Sequence, residues 1–226
     1  MKTSVVITSL FTLVSASFAS ASPISVPPGV VPGSTYYLAF VTDGTRDAIS
    51  SNIADYDAFV TAEANLDPSL AALGTTWKAI GSTSAVSAIA HIGVTGAVYN
   101  LQGQLVATNS ADMFDGTLAS AIEFDQYGSL AIRAVWTGST LAGTSNTPLT
   151  LGAFNAELAQ SDFTDFRWIA FTSFQWDNSE SLYGISGPLI APTTAQTVPE
   201  PCTMSLILGP VLLGGVRRWR RSRATR

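Results

Sequence analysis

The chain has 226 residues, with 11 lysines and arginines against 16 aspartates and glutamates, and a single histidine and a single cysteine. Arg46, Lys78, Arg133 and Arg167 are the basic residues between Thr3 and Val216, and every acid lies between Asp43 and Glu200, so the central body is strongly acidic. Such a body repels nucleic acid and anionic membrane surfaces and favours cations or neutral ligands, while the cysteine and histidine counts exclude an intramolecular disulfide and a zinc site resting on two or three histidines.

The chain opens with Lys2 and an apolar run over 5–18, then Ala19-Ser20-Ala21, whose Ala19 and Ala21 match the small-x-small pattern that a signal peptidase accepts. Residues 1–21 are therefore predicted to be a signal peptide, removed on export. The stretch 22–34 contains Pro23, Pro27, Pro28, Gly29 and Pro32 and reads as an extended, proline-rich leader. The globular body is expected over 35–190.

Within the body, the aromatic and β-branched run 36–42 ends at Asp43-Gly44 and predicts a strand closed by a turn. Asn52 can cap a helix with Asp55 in its first turn, and Ile53, Tyr56, Val60 and Ala64 recur at helical spacing until Asp67-Pro68. A second strand is expected over 76–80, followed by an irregular or helical stretch through Ile92. The segments 97–101 and 104–107 flank Gln102-Gly103 as a hairpin. One short helical turn is expected at 111–114, strands at 134–137 and 167–172, and a closing strand at 182–185. One early helix followed by many short, mostly antiparallel strands and long loops is an α+β pattern, distinct from an alternating parallel-sheet enzyme.

After a linker at 191–197, the chain ends in an uncharged, mostly apolar stretch over 202–216 that contains Gly209, Pro210, Gly214 and Gly215. It is short against the roughly 17–25 residues of a stable spanning helix. Arg217, Arg218, Arg220, Arg221, Arg223 and Arg226 follow at once, on the side that would stay cytoplasmic.

The order Val198-Pro199-Glu200-Pro201, apolar segment, arginine cluster closely resembles the PEP-CTERM sorting signal of bacterial proteins handled by an exosortase. The resemblance covers 198–226. It implies that the Pro-Glu-Pro element marks the processing region, that 202–216 holds the precursor transiently in the inner membrane, and that the product joins the cell surface or an exopolysaccharide matrix. Signal peptidase and an exosortase-type enzyme are the implied processing partners.

Within the body, Gly74-Thr75-Thr76-Trp77-Lys78-Ala79, Val98-Tyr99-Asn100-Leu101-Gln102-Gly103-Gln104-Leu105, Ala111-Asp112-Met113-Phe114-Asp115-Gly116 and Val135-Trp136-Thr137-Gly138-Ser139 follow one another. In order and spacing they are similar to endostatin-like domains of the C-type-lectin-like fold, and to domains found on bacterial surface proteins. The resemblance implies that fold and an interaction role. It does not extend to endostatin's zinc, because this chain has no N-terminal histidine group, and the disulfides usual in that fold are missing.

Calcium-dependent sugar binding in that fold pairs a Glu-Pro-Asn or Gln-Pro-Asp loop with a Trp-Asn-Asp strand; here Trp176-Asp177-Asn178, with Glu180 nearby, stands without a partner loop. Asp112 and Asp115, and the cluster Asp43-Gly44-Thr45-Arg46-Asp47, supply oxygen ligands that would suit calcium, and turn and cap carboxylates explain the same residues. Neither matches an EF-hand loop, so no cofactor is assigned. Of the tryptophans, Trp77, Trp136 and Trp168 sit in strand patterns and are expected in the core, which leaves Trp176 as the exposed ring best suited to stack on a sugar. His91 is expected to be an ordinary polar residue near an element end. The reading favoured is a non-enzymatic, lectin-like surface or matrix protein that contacts extracellular polysaccharide; a purely structural envelope component and a secreted hydrolase are the alternatives.

Overall fold

The computed structural model describes residues 26–193. The signal peptide with Ala19 and Ala21, the sorting tail with Val198, Pro199, Glu200, Pro201, Arg217, Arg218, Arg220 and Arg221, and the apolar stretch 202–216 lie outside the described residues. Among the described residues, no helix is long and apolar enough to cross a membrane.

A mixed sheet forms the centre. β1 (Thr35–Val41) leads into α1 (Ile53–Ala64) and α2 (Pro68–Ala72), then β2 (Trp77–Ala79), α3 (Ala88–Ile92), β3 (Ala97–Asn100), β4 (Leu105–Ala107) and α4 (Ser110–Met113). β5 (Ala134–Trp136), β6 (Asn155–Gln160), a 3-10 helix at Phe166–Trp168, β7 (Thr172–Gln175), β8 (Ser181–Ser186) and β9 (Leu189–Ile190) complete it. The strand order is β4-β3-β1-β8-β5-β6-β7, with β2 also pairing β8 and β9 pairing β1. Pairs β1–β3 and β5–β8 are parallel and the others antiparallel, so the sheet is mostly antiparallel, as the α+β pattern predicts.

The sequence of β1 explains its central place. Its near-continuous apolar run suits a strand covered on both faces. Tyr37, Ala39 and Val41 enter one core, with Tyr183, Ile185, Val98, Val135, Met113 and Trp168. Tyr36, Leu38 and Phe40 alternate into a second core, with Tyr56 and Val60 of α1, Trp77, Trp136 and Leu158. Loops, α3 and α4 cover the first face, and α1 covers the second.

Local signals act as the sequence implies at several points. Asn52 caps α1 by accepting from the Ala54 N–H at 3.3 Å. Asp67-Pro68 does more than stop α1: Asp67 accepts from the N–H groups of Ser69 and Leu70, and Pro68 opens α2. Packing extends past both ends of 35–190, since Val26 and Val30 lie against the second core and the Ala191 N–H donates to Ser34 O at 2.9 Å.

One strand expectation changes. Of the run 167–172, residues 167–171 are the end of a 3-10 turn and a loop and Thr172 opens β7, because Asp165 caps the turn by accepting from the Arg167 N–H at 3.1 Å and turns the chain before it can extend. The strands lie on either side, as β6 and β7. β6 reads Asn-Ala-Glu-Leu-Ala-Gln, a composition poor in strand formers that pairing with β5 and β7 overrides.

Candidate functional site

β7 ends the sheet beyond β6, and all four of its residues are exposed. Its register against β6 sets Phe174 opposite Ala156 and Ser173 opposite Glu157. Side chains two apart share a strand face, so Phe174 and Trp176 project to the same side as Ala156. Trp176 continues the pairing by donating its N–H to Phe154 O at 3.1 Å, and the Phe154 and Trp176 rings stand 6.2 Å apart at 50°. Phe154 is 64% exposed and Phe174 49%, while Trp176 is half-buried against the second core. The result is a ledge of three aromatic side chains at the β6–β7 edge of the sheet, Phe174 in β7, Phe154 just before β6 and Trp176 just after β7.

The surroundings of this ledge carry little net charge. β7 itself has no ionisable residue. Past one end, Arg167 lies 3.6 Å over the Phe163 ring and is bound to Asp165 at 2.6 Å, an exposed pair that holds the Asp165 carboxyl below its ordinary range. Past the other end, Asp177 accepts from Gln175 Nε2 at 3.2 Å and Asn178 Nδ2 donates to Gln175 O at 2.9 Å, which closes the turn into β8. Such a surface offers faces for stacking and amide, hydroxyl and carboxylate edges for hydrogen bonds.

Glu157 lies on the other face of β6, 6% exposed. Its Oε2 accepts from Asn146 Nδ2 at 2.9 Å. Burial pushes its pKa up to about 7, with the Asn146 amide and the Phe171 N–H partly offsetting that rise.

The sequence-derived candidates separate. Trp176 joins the ledge, whereas Asp177 and Asn178 are spent on the turn beside it. Trp77, Trp136 and Trp168 are buried in the core. Asp112 accepts from the Thr108 N–H at 2.6 Å and from Thr108 Oγ1 at 2.9 Å, which holds its carboxyl below the ordinary range. Asp115 accepts from the Thr117 N–H at 2.9 Å, Asp43 pairs with Arg133, and Asp47 lies 3.7 Å from Arg46. Among the described residues no three or more His, Cys, Asp or Glu side chains are placed to hold a metal ion. His91 sits in the last turn of α3.

Phe154, Phe174, Glu157 and Asn146 were not legible as site residues. The alternation in Thr172-Ser173-Phe174-Gln175-Trp176, aromatic at every second place, is the signal that marks the ledge strand. The expected strand at 167–172 stops where β7 begins, at Thr172. The chain matches no family model and no curated protein.

Proposed function

We propose that this chain is an exported cell-surface or extracellular-matrix protein, sorted by a PEP-CTERM tail, whose body is a non-enzymatic, lectin-like domain that contacts extracellular polysaccharide. The observation that carries the reading is the three-ring ledge of Phe154, Phe174 and Trp176 on an uncharged end strand. Aromatic faces suit the apolar side of a pyranose, and the pairing of β6 with β7 sets the spacing of the rings. The acidity of the rest of the body disfavours uronate-rich and other anionic polymers, so the ligand is a neutral polysaccharide. The mixed, mostly antiparallel sheet with few helices and long loops is compatible with a C-type-lectin-like, endostatin-like body; that finer assignment belongs to this proposal.

The test is a glycan array and polysaccharide co-sedimentation with residues 22–200, comparing the parent with Phe174→Ala and Trp176→Ala. Each substitution is expected to weaken binding by about 1–3 kcal/mol, roughly five- to 150-fold, as for loss of a stacked aromatic. Phe174 is the cleaner probe because it is exposed, whereas Trp176 also packs on the core. Equal binding by parent and Phe174→Ala would reject the ledge as the site.

A further inference from the structure

We propose that Glu157 is a proton-operated latch for β7: in its protonated form β6, β7 and the 146–151 loop close on one another, and in its ionised form β7 loosens and the aromatic ledge loses its fixed spacing. The regulatory part rests on the reading of the ledge as a binding surface; the latch itself does not.

Residue 157 is where three segments meet. Its N–H donates to Leu149 O at 2.8 Å, and its carbonyl accepts from the N–H groups of Thr137 and Gly138 at 3.0 and 3.2 Å. Ser173 of β7 faces it across the ladder. Its side chain is buried and held by neutral donors only, Asn146 Nδ2 and the backbone N–H of Phe171.

No cation faces that carboxyl among the described residues. β6 has no other ionisable side chain, and β5, β7 and the segment 138–152 have none. The 3-10 helix contributes Arg167, which is committed to Asp165. Elsewhere Arg133 pairs with Asp43, Arg46 with Asp47, and Lys78 Nζ donates to His91 O at 2.6 Å. A negative charge at Glu157 is therefore buried with two neutral N–H donors and no cation to stabilise it, and hydration is the relief open to it.

Burial places the titration near neutrality, at about 7. The element that can yield most cheaply is β7, a four-residue end strand with every residue exposed. β1 and β8 cannot yield, being buried throughout the centre of the sheet.

Amide hydrogen exchange of the folded body at pH 5 and pH 8, corrected for the intrinsic base catalysis of exchange, reads the latch without any ligand. The expected result is at least a tenfold acceleration at pH 8 confined to β6, β7 and 146–151, since opening returns the carboxyl to an ordinary range and each pH unit between the two pKa values multiplies the open population about tenfold. Glu157→Gln, which keeps the size and an acceptor for Asn146, is expected to abolish that acceleration. Asn146→Ala removes a donor that favours the charged form, so it is expected to move the transition to higher pH and guards against misfolding of the first variant. Equal corrected rates at both pH values in the parent, or an undiminished acceleration in Glu157→Gln, would overturn the latch. Polysaccharide binding measured alongside is expected to fall from pH 5 to pH 8 in the parent and to stay level in Glu157→Gln. Binding absent at both pH values with the exchange signature intact would reject the ledge reading and leave the latch standing.

Discussion

His91 Nε2 lies 2.9 Å from Asp57 Oδ1, and the same carboxylate oxygen accepts from the Ala79 N–H at 2.8 Å. The chain's one histidine is thereby used to tie α3 to α1, and Asp57 ties both to β2. Asp57→Ala leaves the Ala79 N–H and the imidazole without this acceptor. A partly buried donor left unpaired costs about 1–3 kcal/mol, so urea unfolding should show a lowered midpoint with an unchanged slope. Loss below about 0.5 kcal/mol would mean that solvent satisfies both groups.

Glu157 also sets a sign for stability against pH. Its folded pKa, about 7, stands above the ordinary 4.5, so between those values the folded state binds more protons than the unfolded chain. Stability contributed by this group is complete below about pH 4.5, falls as pH rises to about 7, and is level above that. Glu180, raised by burial, acts in the same direction. Asp112 and Asp165 have lowered pKa values, so their contributions run the other way and are lost as pH falls through the acid range. The expected profile has its maximum in mildly acidic solution, and Glu157→Gln should flatten its alkaline limb. Thermal melts at pH 5 and pH 8 check this.

Gly184 of β8 leaves the space that α1 fills. A Cβ there would stand 2.5 Å from Phe40 Cε1 and 2.6 Å from Val60 Cγ1. Both neighbours are fully buried, so neither can move aside without disturbing the second core. Gly184→Ala is predicted to destabilise by about 1–3 kcal/mol through overpacking. A double variant, Gly184→Ala with Val60→Ala, should recover part of that loss in chemical denaturation; no recovery would show that the clash lies elsewhere.

Tyr183 shows the opposite balance. Its ring lies 6.0 Å from that of Trp168 inside the first core, and its hydroxyl, fully buried, has no hydrogen-bond partner among the described residues. Burial holds its pKa well above the ordinary value. Removing an unsatisfied polar atom without changing shape is neutral or stabilising, so Tyr183→Phe is expected to raise stability by up to about 1 kcal/mol. A loss of 1 kcal/mol or more in the same melts would show that the hydroxyl has a partner after all.

For the ends of the chain, the mature exported form is expected to lack residues 1–21, which N-terminal sequencing decides. Replacing Arg217, Arg218, Arg220, Arg221, Arg223 and Arg226 with glutamine should leave export intact and reduce inner-membrane retention and processing. The physical reason is that 202–216 is short and contains Pro210, so it holds weakly by burial, and the arginines oppose translocation while their stems reach the headgroups. Fractionation into membrane, surface and medium pools measures this; retention equal to the parent would remove the sorting role given to the arginines.

Much of the fold followed from local chemistry that tertiary contacts do not override. The apolar run of β1, the Asn52 cap and spacing of α1, and the Gln102-Gly103 hairpin each belong to segments whose own residues favour one conformation. The absence of disulfides and of a multi-histidine zinc site followed from inventory alone. Tertiary structure decided what propensity leaves open. The residues of β6 favour no strand by themselves, and the ladders to β5 and β7 impose one. Arg167, Trp168 and Ile169 look extended until Asp165 caps them into a turn. The ledge depends on the same contacts, because Phe154 lies far from Trp176 along the chain and meets it only through the pairing of β6 with β7. Glu157 reads in sequence as one more surface acid; its burial, its uncharged partners and its raised pKa arise because β5, β7 and the uncharged 138–152 segment close around it.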